Sequence, residues 1–72
     1  MEKFNKFTSS NITELVYFPE QRDLQVTFKS GTYTYHKVPA NDWNSLKKAQ
    51  SQGKFLNSFI KPIYKFTKGI TV

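Results

Sequence analysis

Cysteine is absent from this 72-residue sequence, which removes the disulfide staples and thiolate metal sites on which many small domains depend. The single histidine, His36, cannot complete a metal cage with carboxylates as scattered as Glu2, Glu14, Glu20, Asp23 and Asp42. Three glycines are too few and too dispersed for a loop that cradles phosphates. No apolar run approaches the roughly 18 residues of a membrane span, and Met1-Glu2-Lys3-Phe4-Asn5-Lys6 lacks the apolar core of a signal peptide. These absences set expectations of no metal, no cofactor, no membrane contact and a cytoplasmic location. Catalysis is not expected either. His36 has no thiol to activate, no spacing puts a serine and an acid beside it, and the acids show no paired-carboxylate pattern.

Negative charge is missing from one half of the chain. Up to Asp42, the cations Lys3, Lys6, Arg22, Lys29 and Lys37 are matched by Glu2, Glu14, Glu20, Asp23 and Asp42. Beyond it Lys47, Lys48, Lys54, Lys61, Lys65 and Lys68 stand unopposed, so the formal net charge of +6 belongs to the C-terminal part. Lysines on a helix are ordinarily a solvated face, but such faces usually mix signs. A surplus confined to one region suits a polyanionic partner. Lysine and arginine release counterions from phosphates on binding, so Lys29, Lys47, Lys48, Lys54 and Lys61 are the candidate contacts to RNA or single-stranded nucleic acid. Arg22 is the one arginine, which argues against base-specific reading, because the bidentate fork that recognises guanine is an arginine property.

Aromatic rings are plentiful, with seven Phe, four Tyr and one Trp. One core in a chain this short contributes only about 3–5 kcal/mol, and rings that each bury roughly 150–250 Å² are an economical way to build it. The β-branched and aromatic run Ile12 to Phe18 reads as a first strand, ended by Pro19. After the polar turn Glu20-Gln21-Arg22-Asp23, Leu24, Val26 and Phe28 alternate with Gln25, Thr27 and Lys29 in a second strand. Ser30-Gly31 marks a tight hairpin, and Thr32 to Val38 returns as a third strand. Pro39 fits the first turn of a helix carrying Asp42, Trp43, Leu46 and Ala49, with Gly53 closing it. Lys54 to Lys61 forms a second helix with Phe55, Leu56, Phe59 and Ile60 on one side, limited by Pro62. The tail from Ile63 alternates apolar with polar residues, which leaves open a short edge strand or a loose end. The expected fold is α+β: a three-stranded antiparallel meander followed by two short helices packed on one face, with that edge strand as an optional addition. One domain is expected, its core about residues 9–64 and its extensions 1–8 and 65–72.

Several motifs together resemble the KTSC domain, a short module found alone in small bacterial and phage proteins and at the C-terminus of some lysyl-tRNA synthetases. They are Ser9-Ser10-Asn11-Ile12, Leu24-x-Val26-x-Phe28-x-x-Gly31-x-Tyr33-x-Tyr35, the Val38-Pro39 step, and Ala49-x-Ser51-x-Gly53-x-Phe55-Leu56-Asn57-x-x-Ile60-Lys61. The sequence departs from the family pattern at Val16-Tyr17-Phe18, where a glycine before the tyrosine and an acid after it are common. The resemblance implies an α+β fold without enzymatic activity. Through the synthetase fusions it also implies RNA binding, and through the phage relatives a host-modulating or anti-defence protein. Ser9, Ser10, Asn11, Ser51 and Asn57 match family positions and suggest a polar pocket in which Lys61 supplies charge for a phosphate or carboxylate. The competing role for these serines and asparagines is local capping of backbone groups.

Tyr33 and Tyr35 have two readings. Packed beside Leu24, Val26 and Phe28 they are core, whereas on the opposite face they offer a stacking platform for unpaired bases. Register decides between them. The sequence therefore favours a non-catalytic binding module that holds RNA or single-stranded nucleic acid with its basic C-terminal half. The alternative is a protein-interaction module that docks an acidic host surface or pairs weakly with a second copy through exposed rings.

Overall fold

The computed structural model describes residues 1–5 and 11–69. Five strands lie side by side in the order β1 (Glu2–Phe4), β2 (Ile12–Phe18), β3 (Asp23–Phe28), β4 (Gly31–Tyr35) and β5 (Phe66–Lys68). Each pairs antiparallel with its neighbour. Between β4 and β5 the chain forms α1 (Ala40–Lys48) and α2 (Gln52–Phe55), the latter running directly into one π-helical turn (Leu56–Ile60).

The middle strands follow from side-chain alternation. Leu24 and Val26 of β3 oppose Tyr17 and Leu15 of β2 on one side and Tyr35 and Tyr33 of β4 on the other. Residues directly opposite in an antiparallel pair point to the same face, so this register gathers all six onto the face that the helices cover. A register irregularity between Ile12 and Glu14 shifts the phase by one residue and returns Ile12 to the core. Trp43 and Leu46 of α1, Leu56 and Ile60 of the π turn, and Val38 complete the buried cluster. Its centre is the stack of Tyr17 on Trp43, with ring centroids 5.3 Å apart. The Tyr17 hydroxyl donates to the Val38 carbonyl at 2.6 Å, so the ring is buried without an orphaned hydroxyl.

Five strands replace the three expected, because two short ones lie outside the motif-bearing stretch. β1 pairs with β2, and Glu2 is held from above by Trp43 Nε1, which donates to its carboxylate at 2.9 Å, and by Lys47 at 3.5 Å. β5 takes the optional edge position and is anchored by backbone bonds from His36 to Lys65 and from Gly69 to Thr32. Three residues are too few to carry a readable alternation, so both strands exist through their partners.

The third strand stops at Tyr35 rather than Val38. Lys37 adopts a φ of +60°, a left-handed conformation that breaks strand geometry and turns the chain toward α1. Pro39 caps α1 from just outside it, with Ala40 as the first helical residue. Gly53 does not close α1. The helix ends at Lys48, Ala49 is extended, and Gly53 lies within α2, whose start is capped by the Ser51 side chain. An available hydroxyl at position 51 outweighed the glycine two residues later as the local signal. No helix among the described residues is long and apolar enough to cross a membrane.

Candidate functional site

An open groove of about 710 Å³ runs between the β3–β4 hairpin and the helical segment that begins at Ser51. Its sheet wall comes from Phe28, Tyr33 and Tyr35, with Lys29 and Ser30 at the hairpin tip. The helical wall comes from Ser51, Lys54, Asn57 and Lys61; Asn11 lies at one end, and Phe66 of β5 also lines the groove. Among the described residues, three lysines therefore face this volume and no lining residue carries a carboxylate.

Local structure explains each placement. Leu56 and Ile60, four apart, are fully buried, so Asn57 and Lys61, one residue after each, share the neighbouring side and look into the groove. The π turn, closed by the Lys61 amide bonding to the Leu56 carbonyl at 2.8 Å, preserves that pairing to the end of the segment. Single π turns recur at functional positions in helices. The hairpin tip is fixed by the Lys29 amide donating to the Asn11 carbonyl at 2.9 Å. Gly31 at the base of the tip has a φ of +148°, which other residues rarely adopt.

The rings and cations are interleaved. Lys61 Nζ lies 5.1 Å from the centroid of Phe28, and Lys68 Nζ lies 5.7 Å from that of Tyr33. Phe28 meets Tyr33 edge-on at 5.6 Å, and Phe66 touches both Tyr33 and Tyr35 at 5.5 and 5.6 Å. Burial, with the adjacent Tyr33 adding to it, raises the pKa of Tyr35 above the ordinary tyrosine value, so the groove floor holds a neutral hydroxyl.

The residues singled out in the sequence are distributed unevenly. Asn11, Ser51 and Asn57 of the expected polar pocket line the same groove, while Ser9 and Ser10 lie outside the described residues. Ser51 also has a structural duty, because its Oγ accepts the Lys54 amide at 3.3 Å as the cap of α2. Lys29, Lys54 and Lys61 join the groove. Lys47 does not: it pairs with Glu2 and sits 5.2 Å over the Trp43 ring, at the β1 edge. Lys48 is exposed and lines no part of the groove. Tyr33 and Tyr35 lie on the helix-facing side of the sheet, so no stacking platform forms on the opposite face. Tyr35 is only 2% exposed, whereas Tyr33 is partly buried and reaches the groove wall.

Two features were not legible beforehand. Phe66, 52% exposed at the groove, comes from the alternating tail, whose path the sequence left open. His36 acquires neighbours that no spacing revealed: Nδ1 lies 3.1 Å from Asp23 Oδ1 and Nε2 lies 2.8 Å from Thr67 Oγ1. Acid, imidazole and hydroxyl stand in the order that nucleophilic catalysis uses, but the set lies outside the groove, linking Thr67 of β5 to Asp23 at the start of β3. Its evident effect is to hold the edge strand. Among the described residues no group of three or more His, Cys, Asp or Glu side chains is placed to hold a metal ion.

Comparison with known proteins agrees with this architecture. A family model described as the KTSC domain matches residues 8–64. A protein of Stutzerimonas stutzeri is 42% identical over 55 residues, covering 75% of this chain and 78% of its own. One of Tsukamurella paurometabola is 36% identical over 58 residues, covering 79% and 87%. The crystal structure of a KTSC domain protein from Yersinia pestis superposes with a TM-score of 0.81 at 30% identity, over 93% of this chain and 97% of that one.

Proposed function

The chain belongs to the KTSC domain family, and from that premise we propose that it is a non-catalytic binding module whose groove takes single-stranded nucleic acid, RNA in particular. The observation that carries the reading is the groove itself, where Lys29, Lys54 and Lys61 converge on about 710 Å³ with no carboxylate among the described lining residues. Cations gathered without a counter-charge repel one another, and an anion that neutralises them gains on entry. A phosphodiester backbone supplies such charge at regular intervals, and its binding is driven by the counterions it releases. The groove lining contains no arginine, which favours backbone contact over selective reading of base edges. Asn11, Ser51 and Asn57 add hydrogen-bonding groups that suit ribose hydroxyls and phosphate oxygens.

The test is fluorescence anisotropy of a labelled single-stranded RNA titrated with the protein at about 50 and 200 mM salt, the range over which phosphate contacts lose affinity steeply. Salt-steep binding that disappears on combined Lys29→Glu, Lys54→Glu and Lys61→Glu substitution, with the circular dichroism spectrum unchanged, is the expected outcome. Absence of binding by the native protein at the lower salt overturns the reading.

A second reading, docking to an acidic protein surface, is favoured by Phe59 and Ile63. Both are more than half exposed and flank Lys61 in the sequence, Phe59 in the π turn and Ile63 in the turn that follows it. It requires one stoichiometric protein partner, recovered from nuclease-treated lysate and lost on Phe59→Asp.

A further inference from the structure

We infer that the groove holds one nucleotide unit at a time, its base stacked on Phe66 and the two phosphates that flank it in the strand against Lys54 and Lys61 on the helical wall. This rests on the groove being the nucleic-acid site and narrows it to a seat for a single base.

The rings at the groove differ in the face they can offer. Tyr35 is almost fully buried. Phe28 and Tyr33 are partly buried, and each already has a lysine ammonium over its ring, Lys61 and Lys68 respectively. Phe66 differs from all three. It is 52% exposed, lines the groove, and packs in tilted contact with Tyr33 and Tyr35, ring centroids 5.5 and 5.6 Å away. Leaving half a phenylalanine in water forgoes hydrophobic stabilisation, and a flat ligand laid on it recovers that area. Because the two tyrosines already limit the ring's motion, little conformational entropy remains to be lost on stacking.

The strand that carries Phe66 is also fixed in place. Phe66 pairs with Tyr35 and Thr67 with Thr34, the His36 amide donates to the Lys65 carbonyl at 2.9 Å, and the His36 ring joins Thr67 to Asp23. His36 is thus a positioning residue for the seat and does not touch the ligand. A volume of about 710 Å³ falls in the range of small-ligand sites, about 300–1,000 Å³, which suits a nucleotide better than a long stacked run. An aliphatic anion or acidic peptide would satisfy the lysines but would leave the Phe66 face unused.

The experiment uses the full chain with three labelled probes of equal length: oligoadenylate, oligouridylate and an abasic oligomer that keeps the phosphates and lacks the bases. A stacked base contributes about 1–3 kcal/mol, so Phe66→Leu, which keeps the bulk and loses the aromatic face, is expected to weaken oligoadenylate binding by about 5- to 150-fold. Its effect on the abasic oligomer is nil, its salt slope matches the native one, and Phe66→Trp restores affinity. Adenosine monophosphate displaces the bound oligomer, and ribose 5-phosphate at the same concentration does not. If Phe66→Leu leaves oligoadenylate affinity unchanged while the lysine reversals abolish it, the groove stands and the seat falls. If the native protein binds none of the three probes, both fall together. Equal displacement by the two monophosphates reduces the site to charge alone and overturns the inference.

Discussion

Neutralising single lysines separates a defined groove from a diffuse positive surface. For single-stranded nucleic acid the logarithm of affinity falls with the logarithm of salt by about 0.7 per phosphate neutralised, so three groove lysines predict a slope of about −2.1. Raising salt from about 50 to 200 mM then lowers affinity about 18-fold. Lys54→Gln or Lys61→Gln removes one contact, brings the slope to about −1.4 and reduces the same loss to about sevenfold. Lys47→Gln and Lys48→Gln remove equal charge from the same half of the sequence. Yet Lys47 is occupied by Glu2 and Trp43 at the β1 edge, and neither residue lines the groove. Their slopes are therefore expected to stay at the native value, with only a small uniform drop in affinity from the reduced net charge. Anisotropy titrations at four or more salt concentrations resolve the difference. Equal slope changes at all four positions would refute the reasoning, because the protein would then bind as an unstructured cation and the groove would have no special standing.

Two further outcomes test the supporting structure. Ser51→Ala removes the hydroxyl that accepts the Lys54 amide and is expected to cost about 1 kcal/mol in urea unfolding. Binding lost without any loss of stability would instead make Ser51 a ligand contact. The Tyr64 hydroxyl donates to Asp42, and burial, followed by that hydrogen bond and the aspartate charge, raises its pKa from 10.0 to about 12. A pKa raised by folding stabilises the folded state fully below the unfolded value, and that contribution is lost as pH climbs from about 10 toward 12. Tyr64→Phe should therefore be less stable than the native protein at neutral pH and show a smaller loss across the alkaline window. Parallel alkaline denaturation curves for the two proteins would remove Tyr64 as the cause.

Parts of the fold were legible because they depend on neighbours in sequence. The Leu24, Val26 and Phe28 alternation states which face of β3 is buried without reference to any partner. Of the stripe Phe55, Leu56, Phe59 and Ile60 expected from helical spacing, Leu56 and Ile60 are fully buried, while Phe59 is exposed. Pro39 and Asp42 marked the start of α1 to within one residue. The motifs that resemble the KTSC domain fall within the stretch that the family model matches, residues 8–64.

Other parts were not legible because they are pairings across long separations. β1 becomes a strand through β2 and through Trp43, 41 residues from Glu2. Lys47 had the same formal standing as Lys54 until the fold set Glu2 beside it. His36 appeared isolated because Asp23 reaches it only through the β3–β4 pairing, and Thr67 only once β5 has docked. Tyr33 and Tyr35 alternate correctly for either face, and a shift of one residue in the β3–β4 register would have reversed them.

The sequence alone determined the charge surplus after Asp42, the three central strands, the two helical segments and the lack of cysteine and of any apolar run long enough for a membrane span, since composition and local periodicity require no partner. Tertiary structure decided which lysines converge, that Tyr35 is core, and that the exposed ring at the groove is Phe66. Those depend on strand register and on a 30-residue excursion from β4 to β5, and the energies that fix them come from contacts between residues that sequence order leaves far apart.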